Sequence, residues 1–505
     1  MPERIELSLV SHTNVGKTTL ARTLLGRDVG EIRDEPHVTM SADSHPMVET
    51  AQGDLLALWD TPGFGDSARL ARRLAQSDNP VGWFLGQVWD RYRDRPFWAS
   101  QQAVRNIRER ADVVLYLVNA AEDPADAGYV APEMRVLQWI GKPVVVLLNQ
   151  LGRPRPAAEE AAEVARWRAH LAGFGCVRAV LALDAFARCW VQEARLLREL
   201  SPLLTGEKRE AFERLRDEWL RRRRALFDDS IAVLAERLAR AATDGEIVAD
   251  TGWTGRVREL AAALGIRRDT DDSPKQIAMS RLAERLDTDI RASTDRLISL
   301  HGLGGHAAAE ILARLAEHYA VSERVSEGKA AALGGIVTGA LAGLKADLAT
   351  GGLTFGAGLL VGGVLGALGA AGLARGYNLV RGADATTVAW TDQVLDRLAA
   401  SALLAYLAVA HYGRGRGEWT PSEHPGHWQD TVGEVLERHR EAFQAIWAMR
   451  HAAGRQQRVA PALREAMAAA ALEALQRLYP DANPGEGRGA AAATADNAQT
   501  PAVRE

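Results

Sequence analysis

Ser11-His12-Thr13-Asn14-Val15-Gly16-Lys17-Thr18 stands between two runs of different periodicity. Before it, Ile5 to Val10 is a short alternating apolar run that ends in small residues, as a strand does. After it, Thr19-Leu20-Ala21-Arg22-Thr23-Leu24-Leu25 has helical apolar spacing. Strand, tight loop and helix is the setting in which Gly-Lys-Thr binds phosphate. Backbone N–H groups then surround the anion at a helix N-terminus, where the helix dipole favours negative charge. In this reading Asn14, Val15, Gly16, Lys17, Thr18 and Thr19 contact the nucleotide. Lys17 reaches the β- and γ-phosphates, and the Thr18 hydroxyl holds Mg²⁺. One position departs from the pattern. Ser11 stands where the motif has its first glycine, so the opening turn of the loop is shaped differently.

A second motif lies about forty residues on. Met47 to Ala51 and Leu55 to Trp59 read as two strands about Gly53-Asp54, and the second runs into Asp60-Thr61-Pro62-Gly63. An Asp closing a buried strand binds Mg²⁺ through water, and a Gly three residues later offers an N–H to the γ-phosphate. Asp60 and Gly63 take these roles. The polar loop between the motifs, Val29 to Thr39, is broken by Pro36. Thr39 is its candidate for joining Thr18 and Asp60 at the metal and for completing, with Lys17, the catalytic set. An ordinary loop threonine is the competing reading.

Asp112 to Val118, with its Val-Val-Leu-Tyr-Leu-Val, and Pro143 to Leu148 are continuous apolar runs separated by a helical stretch around Met134 to Ile140. Such runs suit a parallel sheet covered on both faces. Cys176 to Leu183 reads as its last strand. The fold expected for the first part of the chain is therefore α/β, a mainly parallel sheet with helices on both faces.

Composition sets the frame. The chain has 505 residues, net charge −4 and 47% hydrophobic residues, which argues for several globular domains and against a global basic field for nucleic acid. Cys176 and Cys189 have no metal or redox spacing and suit a reducing cytoplasm. Charges at Glu3, Arg4 and Glu6 interrupt any signal-peptide core, so a cytoplasmic location is expected.

His12-Thr13-Asn14-Val15-Gly16-Lys17-Thr18, Asp60-Thr61-Pro62-Gly63, Leu148-Asn149-Gln150 and Leu183-Asp184-Ala185-Phe186-Ala187-Arg188-Cys189-Trp190 together resemble a bacterial family of Era-like GTPases. The C-terminal half of that family is a domain of unknown function with a glycine-rich segment. The resemblance covers most of the chain and implies GTP and GDP as ligands, with Mg²⁺. It places Asn149 and Gln150 at the guanine base, where such proteins have Asn-Lys-x-Asp. Gly152 stands at the carboxylate position and cannot replace it. Phe64 stands where small switch GTPases often carry a water-orienting Gln, so intrinsic hydrolysis is expected to be slow unless a partner, a homodimer or a metal supplies the missing group. Asn14 matches an Asn that binds K⁺ in some relatives; capping of loop backbone is the other reading.

Five segments follow. Residues 1–192 form the GTPase domain. Residues 65–110 within it carry an aromatic insertion in which Phe84, Val88 and Tyr92 share a helical face, read as local packing or as a partner surface. Residues 193–327 are a charged helical region. Its run Arg221-Arg222-Arg223-Arg224 is a solvated face or a contact for anionic lipid or RNA. Residues 328–376 hold 15 of the chain's 46 glycines, with Gly335, Gly339, Gly343 and Gly358, Gly362, Gly366 each spaced by four. Such a stripe lets two helices approach closely. It reads as a hairpin buried in the protein, as a hairpin entering a membrane or meeting a membrane-protein partner, or as a permanent span. Residues 377–479 are read as helices, and 480–505 as a disordered tail. The functional expectation is a GTP-driven switch coupled to a helical effector region. The alternatives are a membrane scaffold on the inner face of the cytoplasmic membrane, gated by nucleotide, and a GTPase of tRNA modification or the ribosome. No sequence-specific nucleic-acid contact is expected.

Overall fold

The computed structural model describes residues 2–12, 15–26, 43–65, 67–76, 81–82, 85, 95–151, 157–183, 189–248, 274–303, 377–381, 386–411, 427–450 and 455–482. Asn14, Thr39, Gly152, the Phe84–Tyr92 face, segment 328–376 and the tail past residue 482 lie outside them. The chain forms two compact units: Met1–Ala225 with Ala410–Pro425 and Leu475–Glu505, and Leu226–Val409 with Gly426–Ala474.

The first unit is built on six strands, β1 (Arg4–Ser11), β2 (Asp43–Glu49), β3 (Leu55–Asp60), β4 (Val113–Asn119), β5 (Val144–Asn149) and β6 (Val177–Ala182). Their order is β2-β3-β1-β4-β5-β6, and β2 alone runs antiparallel to its neighbour. Strand side chains alternate between two apolar layers. On β4, Val113, Leu115 and Leu117 enter one layer while Val114, Tyr116 and Val118 enter the other. This is why the central strands read as unbroken apolar runs.

The first layer is closed by α1 (Lys17–Leu25), by α6 (Trp190–Leu200) through Leu196, Leu197 and Leu200, and by the start of α7 (Gly206–Thr243). Phe212, Leu215 and Trp219 supply the α7 contribution, on the face their spacing indicates. The second layer is closed by α2 (Ser67–Leu74), α3 (Arg95–Glu109), α4 (Val130–Ile140) and α5 (Ala157–Leu171). Phe97 of the aromatic insertion is buried there, and the guanidinium groups of Arg69 and Arg73 lie 4.6 and 5.1 Å from its ring centre. For this residue the packing reading holds.

The arginine run is partly engaged. Arg221 and Arg222 pair with Glu218, Arg222 also donates to the Glu49 carbonyl at 2.8 Å, and Arg223 lies 5.1 Å over the Trp219 ring. Arg198 donates to the carbonyls of Asp481 and Ala482, so the segment read as a tail is held at its first residues.

The second unit is largely helical, as expected, but it contains a small sheet that the sequence reading took for helix. β7 (Gly245–Val248), β8 (Tyr377–Arg381) and β9 (Thr386–Trp390) form an antiparallel sheet ordered β7-β9-β8. Thr386-Thr387-Val388-Ala389-Trp390 is β-branched and aromatic, which favours a pleated surface, and the helix begins only at Asp392. α8 (Pro274–Leu300) packs on β7 and β9. Its Arg285 bridges Asp244 at 2.9 Å and Glu246 at 2.8 Å.

The remaining helices are α9 (Asp392–Ala410), α10 (His427–Arg438), α11 (Arg440–Met449) and α12 (Arg455–Leu478). α9 is long and apolar enough to cross a membrane. Most of it is buried within the unit, and its Asp396 accepts from Trp447 Nε1 of α11 at 2.8 Å. His439 and Arg438 both reach Glu473 on α12.

Candidate functional site

The carboxyl ends of β1, β3 and β5 converge on the loop before α1. The loop closes with Gly16 in a left-handed conformation (φ 89°), from which its carbonyl accepts the Leu20 N–H. A side chain is excluded there twice over. The φ is one that L-residues rarely adopt, and a Cβ would stand 2.9 Å from Asn149 Nδ2.

Lys17, the first residue of α1, is buried, and its Nζ donates to Ser11 Oγ at 3.0 Å. The serine that replaces the first motif glycine thus anchors the lysine head, while its own hydroxyl also contacts the His12 carbonyl. Thr18 Oγ1 donates to Asp60 Oδ2 at 2.7 Å, and Asp60 Oδ1 is buried with no hydrogen-bond partner among the described residues. Burial lowers the pKa of the Lys17 ammonium, against the pull of Asp60 and Glu133. Burial raises that of the Asp60 carboxyl, against its bond from Thr18 and the charge of Lys17. Both charges are therefore under-compensated: the ammonium faces too little negative charge and the carboxylate too little positive charge. A phosphate anion at Lys17 and a hard divalent cation at Thr18 and Asp60 fit these deficits and this oxygen donor set. Magnesium, with its preference for a few protein oxygens and retained water, suits them.

Beyond Asp60, Thr61 Oγ1 donates to the Leu9 carbonyl at 2.6 Å and the Phe64 N–H to the Ser11 carbonyl at 2.9 Å. These bonds lay the Asp60–Gly63 turn, including the buried Gly63, along the phosphate loop. The Phe64 side chain points into the apolar layer beneath α2 and is fully buried.

At the end of β5, buried Asn149 donates from Nδ2 to the Val15 carbonyl at 2.7 Å. Gln150 adopts a positive φ of 57°, unusual for a residue with a side chain, and its Nε2 lies 4.0 Å from the place a Gly16 Cβ would take. Asn149 thus ties the expected base loop to the phosphate loop. Thr19 is buried within α1, where its carbonyl accepts from Thr23 Oγ1.

The structure accordingly brings together Val15, Gly16, Lys17, Thr18, Asp60, Gly63, Asn149 and Gln150. Asn14 and Thr39 lie outside the described residues. A further cluster escaped the sequence reading. Glu133, fully buried on α4, receives His12 Nδ1 at 2.7 Å, Tyr116 Oη at 2.6 Å and Ser67 Oγ. Its signal was a lone acid in the apolar frame Val130, Met134, Val136, Leu137.

Comparison with known protein families agrees with this fold. Residues 168–479 match the family described as "Domain of unknown function (DUF3482)", and residues 6–150 match "50S ribosome-binding GTPase". The protein class is that of P-loop GTPases. The chain belongs to the DUF3482 family and carries an Era-like GTPase domain ahead of that domain of unknown function.

A curated relative is GTPase Der of Myxococcus xanthus (strain DK1622), 28% identical over 150 residues, which is 29% of this chain. The chain spans 26% of that relative's length. Among solved structures, Aquifex aeolicus Era bound to GDP and AlF4⁻ is 17% identical, with a TM-score of 0.26 over 41% of this chain and 69% of that one. Era in complex with MgGDPNP and a segment of 16S ribosomal RNA is also 17% identical, with a TM-score of 0.27 over the same shares. A probable GTP-binding protein engB is 14% identical, with a TM-score of 0.23, over 39% of this chain and 97% of that one.

Proposed function

We propose that this protein is a Mg²⁺-dependent, slow GTP hydrolase that works as a switch, with nucleotide state passed from the N-terminal domain to the helical C-terminal region. The observation that carries the reading is the pair of buried, under-compensated charges, Lys17 and Asp60, on either side of the phosphate loop. Lys17 holds the β- and γ-phosphate oxygens, and the loop backbone from Asn14 to Thr19 surrounds them. Thr18 and Asp60, with Thr39, would hold Mg²⁺, which would supply neutralisation of the phosphate charge. Gly63 offers its N–H to the γ-phosphate. Asn149 keeps the base loop fixed to Val15, and Gln150 lies along the base, so guanine is read without the usual carboxylate. Phe64 contributes no water-orienting group because its side chain faces the core. A cytoplasmic location and K⁺ at Asn14 as activator belong to the same proposal.

Single-turnover hydrolysis of GTP, with Asp60→Ala and with EDTA, tests the reading. Mg²⁺-dependent phosphate release that Asp60→Ala abolishes supports it. Release unaffected by either overturns it. A second reading, membrane association through the glycine-rich segment 328–376, rests on that segment's composition. Liposome flotation of the full chain beside a variant lacking 328–376 tests it.

A further inference from the structure

The first helical position after the Asp60–Gly63 turn and the second position of the phosphate loop are joined through one buried carboxylate. Glu133 Oε1 accepts from His12 Nδ1–H at 2.7 Å and from Ser67 Oγ, while Oε2 accepts from Tyr116 Oη at 2.6 Å. Ser67 Oγ also lies 3.4 Å from His12 Nδ1. The His12 ring stacks on Tyr129 with centroids 4.5 Å apart and planes at 21°. The imidazole is thus fixed on one face by Tyr129 and at one nitrogen by Glu133. With Nδ1 donating, Nε2 is the acceptor, and it has no hydrogen bond among the described residues. The His12 side chain is 30% exposed, while Glu133 is sealed.

The placement bears on the missing group at Phe64. His12 and Phe64 face each other in a parallel bridge, and the Phe64 N–H is bonded to the carbonyl of Ser11, the residue before His12. His12 therefore sits at the seam between phosphate loop and Asp60–Gly63 turn, where a γ-phosphate and its attacking water must meet both segments. A nitrogen base oriented by a third group is the arrangement that activates nucleophiles in many hydrolytic sites.

We propose that His12, aligned by the buried Glu133, positions the attacking water for hydrolysis in place of the side chain that Phe64 cannot supply. The inference rests on the GTPase reading above. In the step, His12 Nε2 accepts a hydrogen bond from the water and orients it, and the water's proton passes to a γ-phosphate oxygen as the new oxygen–phosphorus bond forms. The bond from the γ-phosphorus to the bridging oxygen breaks, and its electron pair leaves on the β-phosphate. The proton leaves with the released phosphate, and His12, held by Glu133, stays neutral throughout. Glu133 is a positioning residue: it acts through His12 and meets no reacting atom.

The test is single-turnover GTP hydrolysis by the full chain, with nucleotide affinity measured in parallel, for the wild type, His12→Ala, His12→Gln and Glu133→Gln. The expected result for His12→Ala is a loss of about tenfold or more in hydrolysis rate with GTP affinity within about threefold of wild type. His12→Gln, which keeps an acceptor and a donor, recovers most of the rate. Glu133→Gln falls between the two. Wild-type hydrolysis by His12→Ala overturns the proposal. So does equal slowing in His12→Ala and His12→Gln, which marks a packing role, or slowing that follows lost affinity. A wild type that binds GTP without hydrolysing it also overturns the proposal, whereas one that binds no nucleotide overturns the GTPase reading itself.

Discussion

Breaking the Asp54–Arg214 pair should cost a measurable, pH-dependent part of the stability of the N-terminal unit. Asp54 sits in the turn between β2 and β3, buried, and Arg214 of α7 donates to both its oxygens, at 2.8 and 3.1 Å. The Arg214 bond is the main reason that the Asp54 carboxyl is held at about 2 rather than 3.8; burial opposes it, and the Glu3 N–H and Thr50 hydroxyl help. At about 1.4 kcal/mol per pH unit, that depression amounts to about 2.4 kcal/mol. The Arg214 side chain is 43% exposed, so solvent screening leaves the pair worth well under that figure. The sign follows from the direction. A carboxyl whose folded pKa is depressed stabilises the fold above its unfolded value near 4, and the contribution fades as pH falls toward 2. A double-mutant cycle of Asp54→Asn and Arg214→Ala, read by urea unfolding, should give a coupling of about 1 kcal/mol at pH 7 that shrinks at pH 3. Coupling below about 0.3 kcal/mol at pH 7, or equal coupling at both pH values, would refute the reasoning. The pair also has a mechanical position, because β3 carries Asp54's turn at one end and Asp60 at the other.

Other expectations concern the site and the second unit. Gly16→Ala forces a strained φ and a Cβ 2.9 Å from Asn149 Nδ2, so it should lower GTP affinity by about tenfold or more while far-ultraviolet circular dichroism stays unchanged. Asn149→Ala frees the Val15 carbonyl and should weaken GTP and GDP alike, a loss that calorimetric titration reads directly; an unchanged affinity would count against its tying role. Arg285→Ala leaves Asp244 and Glu246 without their shared cation and should lower stability by about 1 kcal/mol, seen as faster amide exchange in residues 245–248.

Much of the fold was legible because local signals agreed with one another. Val113 to Val118 and Pro143 to Leu148 are apolar on every residue, which only a strand covered on both faces requires, and both are central strands. Gly16 was readable from the motif, and the structure adds the close approach of Asn149 as its second reason. The small sheet of the second unit was not legible. Gly245–Val248 is four residues long and pairs with a strand more than 130 residues away, β9, and no local period encodes such a partner. Likewise, Glu133 could be seen as an acid among apolar residues, but His12, Ser67 and Tyr116 reach it only through the tertiary fold. For Phe64 the sequence offers only the residue type, and the structure adds that its side chain is buried in the apolar layer.

The central claim is tested most directly by titrating purified full-length protein with GTP, GDP and ATP in Mg²⁺, beside Lys17→Ala. The account predicts binding of GTP and GDP, loss of both in Lys17→Ala, and much weaker binding of ATP. Equal affinity for ATP, or GTP binding that survives Lys17→Ala, would contradict it.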